Sequence, residues 1–137
     1  MTKNEIINRT IEEREWLVQT HLSVLPKDKA IEVDKIAELI TSLEQAYKQF
    51  LQSIWHELGK DERSLEDVLD KQYNRFALAG KYAEPINQAI ADAKEITLWE
   101  QITNSNYKDI DHLNAIIVAY AKDLLAQITA DFLEDVK

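Results

Sequence analysis

Histidine is the side chain best suited to proton transfer near neutral pH and to imidazole ligation of a metal, and the sequence holds three. His21 sits beside an apolar arc, His56 lies between Trp55 and Glu57, and His112 follows Asp109 by three residues. A di-iron centre in a helical bundle needs two Glu-x-x-His pairs and two further glutamates, all directed inward. Asp109-x-x-His112 is a near match with aspartate in place of glutamate, but Asp109 is better explained as a helix N-cap after the Asn104-Ser105-Asn106 cluster. The chain has no cysteine, which removes thiol nucleophiles, disulfides, iron–sulfur clusters and cysteine-ligated zinc together. Glu12 with Glu15, and Asp67 with Asp70, have the spacing to share a helix face, as carboxylates that hold Mg²⁺ for pyrophosphate hydrolysis do. With 25 acidic residues in the chain, however, such pairs arise by chance and read as solvated faces. No metal and no cofactor is expected.

Arg14 and His21 are seven positions apart and so fall on nearly the same side of a helix. An arginine that binds phosphate and a histidine that moves a proton would suit RNA cleavage. The Arg-x₆-His spacing resembles the short motif of HEPN-type helical ribonucleases. It covers eight residues, and those families carry it late in the bundle, whereas here it falls in the first helix. An enzyme alternative, a metal-dependent hydrolase or a ribonuclease-like bundle, therefore gathers Arg14, His21, His56, Asp109 and His112. The sequence has no Gly-x-Ser-x-Gly elbow, His-Glu-x-x-His motif or EF-hand loop, and no catalysis is expected.

The elements that must position these residues follow from composition. Of 137 residues only two are glycine and two proline, while 45% are hydrophobic and 30% charged. A sheet protein needs frequent tight turns, commonly Asn-Gly or Asp-Gly, and neither dipeptide occurs. Rossmann and P-loop folds fail with it, because each needs glycine where backbone meets phosphate. The expected fold is all-α: one domain over residues 1–137, an up-down bundle of four to five helices. Pro26, Gly59, Gly80, Pro85 and the Asn-Ser-Asn cluster divide the chain into helical stretches. The first runs from about Thr2 to Val24, with Thr2 and Glu5 spaced for a capping box. The second runs from about Asp28 to Leu58 and is closed by Gly59. A third follows Ser64 and stops at Gly80, and a fourth carries Pro85 in its first turn and ends near Thr103. The fifth covers about 109–135. The second and fifth are the long amphipathic elements.

The second stretch has the clearest pattern. Val33, Ile36, Ile40, Leu43, Tyr47, Phe50 and Ile54 alternate three and four apart, a heptad seam. Such a seam is either an intramolecular core face or a homodimer surface, and the first is the expectation. In the fifth, Ile110, Leu113, Ile117, Tyr120, Leu124 and Ile128 form a comparable stripe. Two stretches carry apolar residues off their stripe. Trp16 falls opposite Ile7, Ile11, Val18, Leu22 and Leu25. Leu98, Trp99 and Ile102 point away from Ile86, Ala89, Ile90 and Ala93. Either these residues pack on a helix whose position the sequence does not reveal, or they mark a partner-binding surface.

The formal charge is −9, which repels nucleic-acid phosphate and anionic lipid in the absence of a basic patch. Residues 1–60 carry eight basic and ten acidic side chains, and residues 61–137 carry eight and fifteen. The more acidic second half is the better docking face for a basic partner. The longest apolar run, Ala115 to Ala121, is far shorter than a bilayer span. With no visible secretory signal and no cysteine, a cytoplasmic protein is expected. The expected function is that of a small acidic protein that binds another protein, as an adaptor, an inhibitor, or an immunity- or antitoxin-like regulator. Neither nucleic acid nor membrane is expected as a partner. A structural homodimer through the helix-2 seam stands as a further alternative.

Overall fold

The computed structural model describes residues 2–60, 62–69, 72–103 and 108–136, and every element in them is a helix. In chain order these are α1 (Lys3–Leu22), α2 (Val33–Glu57), α3 (Glu62–Leu69), α4 (Gln72–Thr103) and α5 (Lys108–Val136). The fold is an all-α bundle. α1, α2 and α5 pack on one another, the short α3 closes against α2 and α5, and α4 lies along α5. Tyr47 meets Thr129 and Trp55 meets Phe132, so α2 and α5 run in the same direction. α4 runs opposite to α5, with Tyr82 against Tyr120 and Asp123.

The helix ends show how local chemistry sets the boundaries. The Thr2 hydroxyl accepts from the Glu5 amide at 3.2 Å, satisfying one of the donors that the first turn of α1 leaves free. Gly59 closes α2 with a left-handed φ of 70°. Its amide donates to the His56 carbonyl at 2.9 Å and the Lys60 amide to Trp55 at 3.3 Å, the paired bonds of a Schellman cap. α2 begins at Val33 rather than near Asp28. Glu32 is extended and caps the helix. Ile31 before it and Ile36 within it hold the two positions of a hydrophobic staple, and both pack into the core. The Pro26 carbonyl in this connection accepts from the Asn114 amide group of α5 at 3.0 Å, tying the loop down.

α4 departs most from expectation. Gly80 and Pro85 both lie inside one 32-residue helix, where the sequence reads a break at the first and a helix start at the second. Gly80 has an ordinary helical backbone, and a Cβ placed there would meet nothing within 4 Å. It is therefore a weak helix residue rather than a turn. Pro85 lacks an N–H for the Lys81 carbonyl one turn earlier, so it removes one ladder bond without ending the helix. The packing of α4 along α5 outweighs both local preferences. The third stretch correspondingly shortens to α3, which contains Ser64 instead of starting after it. The Asn104-Ser105-Asn106 cluster lies outside the described residues, and so does Asp70. Asp109 stands in the first turn of α5, which begins at Lys108; it favours the positive helix end without being the cap.

The core draws on all five helices. Leu43, Tyr47, Leu51 and Ile54 of α2 and Ile110, Leu113, Ile117, Leu125 and Ile128 of α5 have no solvent exposure. From Ile36 to Ile54 the helix-2 seam is thus the inner face of the bundle, with Ile36 and Ile40 also buried and Phe50 half-buried at its edge, while Val33 at its start is exposed. On α1 the buried face is Ile6, Thr10, Leu17, Val18 and Leu22, rotated from the expected one. Ile7 is half-buried and Ile11 exposed. Thr10 fits an interior position because its hydroxyl donates to the Ile7 carbonyl at 2.7 Å.

Candidate partner-binding surface

The candidates for acid–base or metal chemistry are spread over three helices, Arg14 and His21 on α1, His56 on α2, and Asp109 and His112 on α5. Arg14 and His21 are both half-buried on α1, but two turns apart. The His21 Nδ1 lies 3.0 Å from the Leu17 carbonyl, which requires Nδ1 to carry the proton and holds the ring against its own helix. Arg14 lines a shallow groove of about 340 Å³ between α1 and α5 with Ile11, Val18 and Asp123, and His21 does not border it. His56 is exposed in the last turn of α2, and His112 is exposed on α5 beside half-buried Asp109. Among the described residues no three His, Asp or Glu side chains come together as a metal site would require.

The polar groups that do meet in the interior have structural geometry. The Thr129 hydroxyl donates to the Leu125 carbonyl at 2.6 Å, so the Tyr47 hydroxyl, 2.5 Å away, donates to Thr129. Burial pushes the Tyr47 hydroxyl up to about 12. Tyr82 donates to the Asp123 carboxylate, and this bond, with burial second, raises its pKa. Tyr120 is raised by burial first and by the nearby Glu44 charge second. Glu44 accepts from Arg75 at 3.0 Å and from Lys48 at 3.1 Å. Arg75 has little exposure, and among the described residues its Nε and Nη2 have no hydrogen-bond partner. On the surface, Arg9 donates to Glu57 at 2.8 Å, linking the start of α1 to the end of α2. That bond raises the arginine and lowers the glutamate.

Large apolar side chains stand in solvent at the off-stripe positions. On α4, Leu98 is 64% exposed, Trp99 58% and Ile102 72%. At 100° per residue these three cover an arc opposite Ala89, Ile90 and Ala93, which are buried against the core. The last turns of α4 therefore carry apolar residues on two faces, one buried against the core and one exposed. Trp16, also 58% exposed, belongs to a different surface, because α1 packs on α2 and α5. Its neighbours one turn back are Glu12, exposed, and Glu13, half-buried. Sequence reasoning missed Phe76, which is 71% exposed near the start of α4. The sequence ends the helix of Phe76 at Gly80, and only the unbroken α4 puts it on the same helix as Trp99.

A groove of about 460 Å³ runs between α2 and α4 over Tyr120, walled by Ile36, Ile40, Tyr82 and Ile86. Among the described residues no helix is long and apolar enough to cross a membrane. Comparisons of this chain with protein families, with curated proteins and with solved structures found no match in any of the three.

Proposed function

We propose that this chain acts in the cytoplasm by binding another protein, as an adaptor, an inhibitor, or an immunity- or antitoxin-like regulator. The observation that supports this reading is the placement of Trp16, Leu98, Trp99 and Ile102 in solvent on two helices. Exposed tryptophan beside aliphatic side chains is the composition of interface hot spots, where aromatic anchors supply most of the affinity. The surroundings are acidic: Glu12 and Glu15 flank Trp16, and Glu95 lies one turn before Leu98 and Trp99. With a net charge of −9, the complementary surface is basic, and long-range attraction would speed encounter. Neither nucleic acid nor a bilayer is the expected partner.

Native mass spectrometry of the untagged chain, purified gently from its host, tests the reading. A heteromeric mass is expected beside the 15.9 kDa chain. Trp16→Ala, or the pair Leu98→Ser and Ile102→Ser, should remove the second protein while the thermal unfolding transition stays cooperative. A complex that survives all of these substitutions would place the interface elsewhere, and a stoichiometric metal would point to the enzyme alternative instead.

A further inference from the structure

We propose that the groove between α2 and α4 binds an uncharged amphiphile, a molecule with an aliphatic body and a single hydroxyl head. α4 packs along α5, and the bond from Arg75 to Glu44 ties it to α2 at one end of the groove. The α2 wall runs from Val33 to Glu44, about 16 Å at 1.5 Å per residue. The space of about 460 Å³ is the size of an ordinary small-molecule site. Its sides are apolar, with Ile36 and Ile40 contributed by α2 and Ala83 and Ile86 by α4. At the end away from Glu44, Val33 is 52% exposed, an apolar side chain that a bound aliphatic body would cover.

The polar end selects the head group. Among the described residues Glu44 is the one charged side chain that borders the groove, and its partners Arg75 and Lys48 do not border it. Both of their bonds end on the same carboxylate oxygen, Oε1. Among the described residues the other oxygen, Oε2, accepts no hydrogen bond, and the side chain is 22% exposed. Tyr120 borders the same space, with its hydroxyl near enough to feel the Glu44 charge. A hydroxyl donates and accepts at once, so one set between these two groups accepts from Tyr120 and donates to Oε2. An ammonium head would add a third cation to Arg75 and Lys48. A carboxylate head would meet Glu44 before it met either cation. Burying a charge without a free partner is costly, and the neutral head avoids both conflicts.

Alkan-1-ols serve as probes, titrated calorimetrically into the full chain. Octan-1-ol should bind saturably, one molecule per chain. From hexan-1-ol to decan-1-ol each added methylene should tighten binding about fourfold, the equivalent of about 0.8 kcal/mol per buried methylene. Octanoate and octylamine, with similar tails and charged heads, should bind about tenfold more weakly or worse. Ala83→Trp, at an exposed position on the α4 wall, should fill the groove and abolish binding while unfolding stays cooperative. Ala37→Trp, exposed on the α2 wall, should do the same and serves if the first variant does not fold. Tyr120→Phe should weaken octan-1-ol about fivefold and leave the gain per methylene unchanged. Glu44→Gln leaves Arg75 and Lys48 without their carboxylate and should turn the preference over to octanoate. Absence of saturable binding for every alcohol would overturn the proposal, and so would binding that survives tryptophan on both walls. Octanoate or octylamine binding to the native chain as tightly as octan-1-ol would overturn it as well, because the head group would then be wrong.

Discussion

α2 and α4 are both long helices of one bundle, yet they use apolar residues in different ways. α2 concentrates them on one face, from Ile36 through Leu43 and Tyr47 to Ile54, and buries that face inside the chain. α4 splits them. Ala89, Ile90 and Ala93 are small or medium and turn inward, while Phe76, Leu98, Trp99 and Ile102 are large and turn outward. A helix selected only for the stability of its own chain has no reason to place its largest apolar groups in water. The contrast separates two kinds of pressure on a helix, one from the fold and one from whatever the helix meets.

The sharpest way to break the comparison is to truncate one leucine on each helix. Leu43 is fully enclosed, so Leu43→Ala should cost about 2–5 kcal/mol of stability. Leu98→Ala should change stability by less than about 0.5 kcal/mol. Urea titration of both variants reads the difference, and equal losses would place Leu98 in a core. The two glycines give the next largest effect, with opposite signs. Gly59→Ala forces an L-residue into left-handed backbone and should destabilise by about 1–2 kcal/mol. Gly80→Ala should stabilise by about 0.5–1 kcal/mol, since its backbone is already helical and the space is open. Thermal melts of the two variants, run side by side, check this. A destabilised Gly80→Ala would show that α4 needs a flexible point there.

A further effect concerns pH. The Tyr47 hydroxyl is raised from an ordinary value of 10.0 to about 12. The unfolded chain therefore loses this proton first, and the folded state binds more protons between those values. The stability from this group is fully present below pH 10 and is lost as pH rises towards 12. Tyr47→Phe should cost about 1 kcal/mol at neutral pH through the lost hydrogen bond. It should also flatten the alkaline fall, as denaturant midpoints measured from pH 9 to pH 12 would report.

The same contrast explains what could be read in advance. The seam of α2 and the stripe of α5 were legible because leucine and isoleucine recur with helical spacing and no interruption. Four-residue spacing from Ile6 to Thr10 was hidden on α1, since a threonine does not advertise itself as core until its hydroxyl is seen bonded to the Ile7 carbonyl. α4 was misread because Gly80 and Pro85 are local signals, and a local signal carries about 1–3 kcal/mol against the sum of a whole packed face. The off-stripe Leu98, Trp99 and Ile102 were visible as a violation of periodicity, although their exposure needed the neighbouring helices in place. Arg75 against Glu44 could not be found, because nothing in the spacing of residues 31 apart joins them.

The bond between Tyr47 and Thr129 has one more consequence. Leucine and isoleucine side chains are nearly interchangeable as fillers, so a bundle of them tolerates one helix sliding past another by a turn. Such a slip would carry Thr129 away from Tyr47 and bring Leu125 or Leu133 into its place. The phenol would then face methyl groups with its proton unshared, at a cost of about 1–3 kcal/mol. One hydroxyl pair thus acts as a locating pin that gives an otherwise slippery stack of helices a single address along its length.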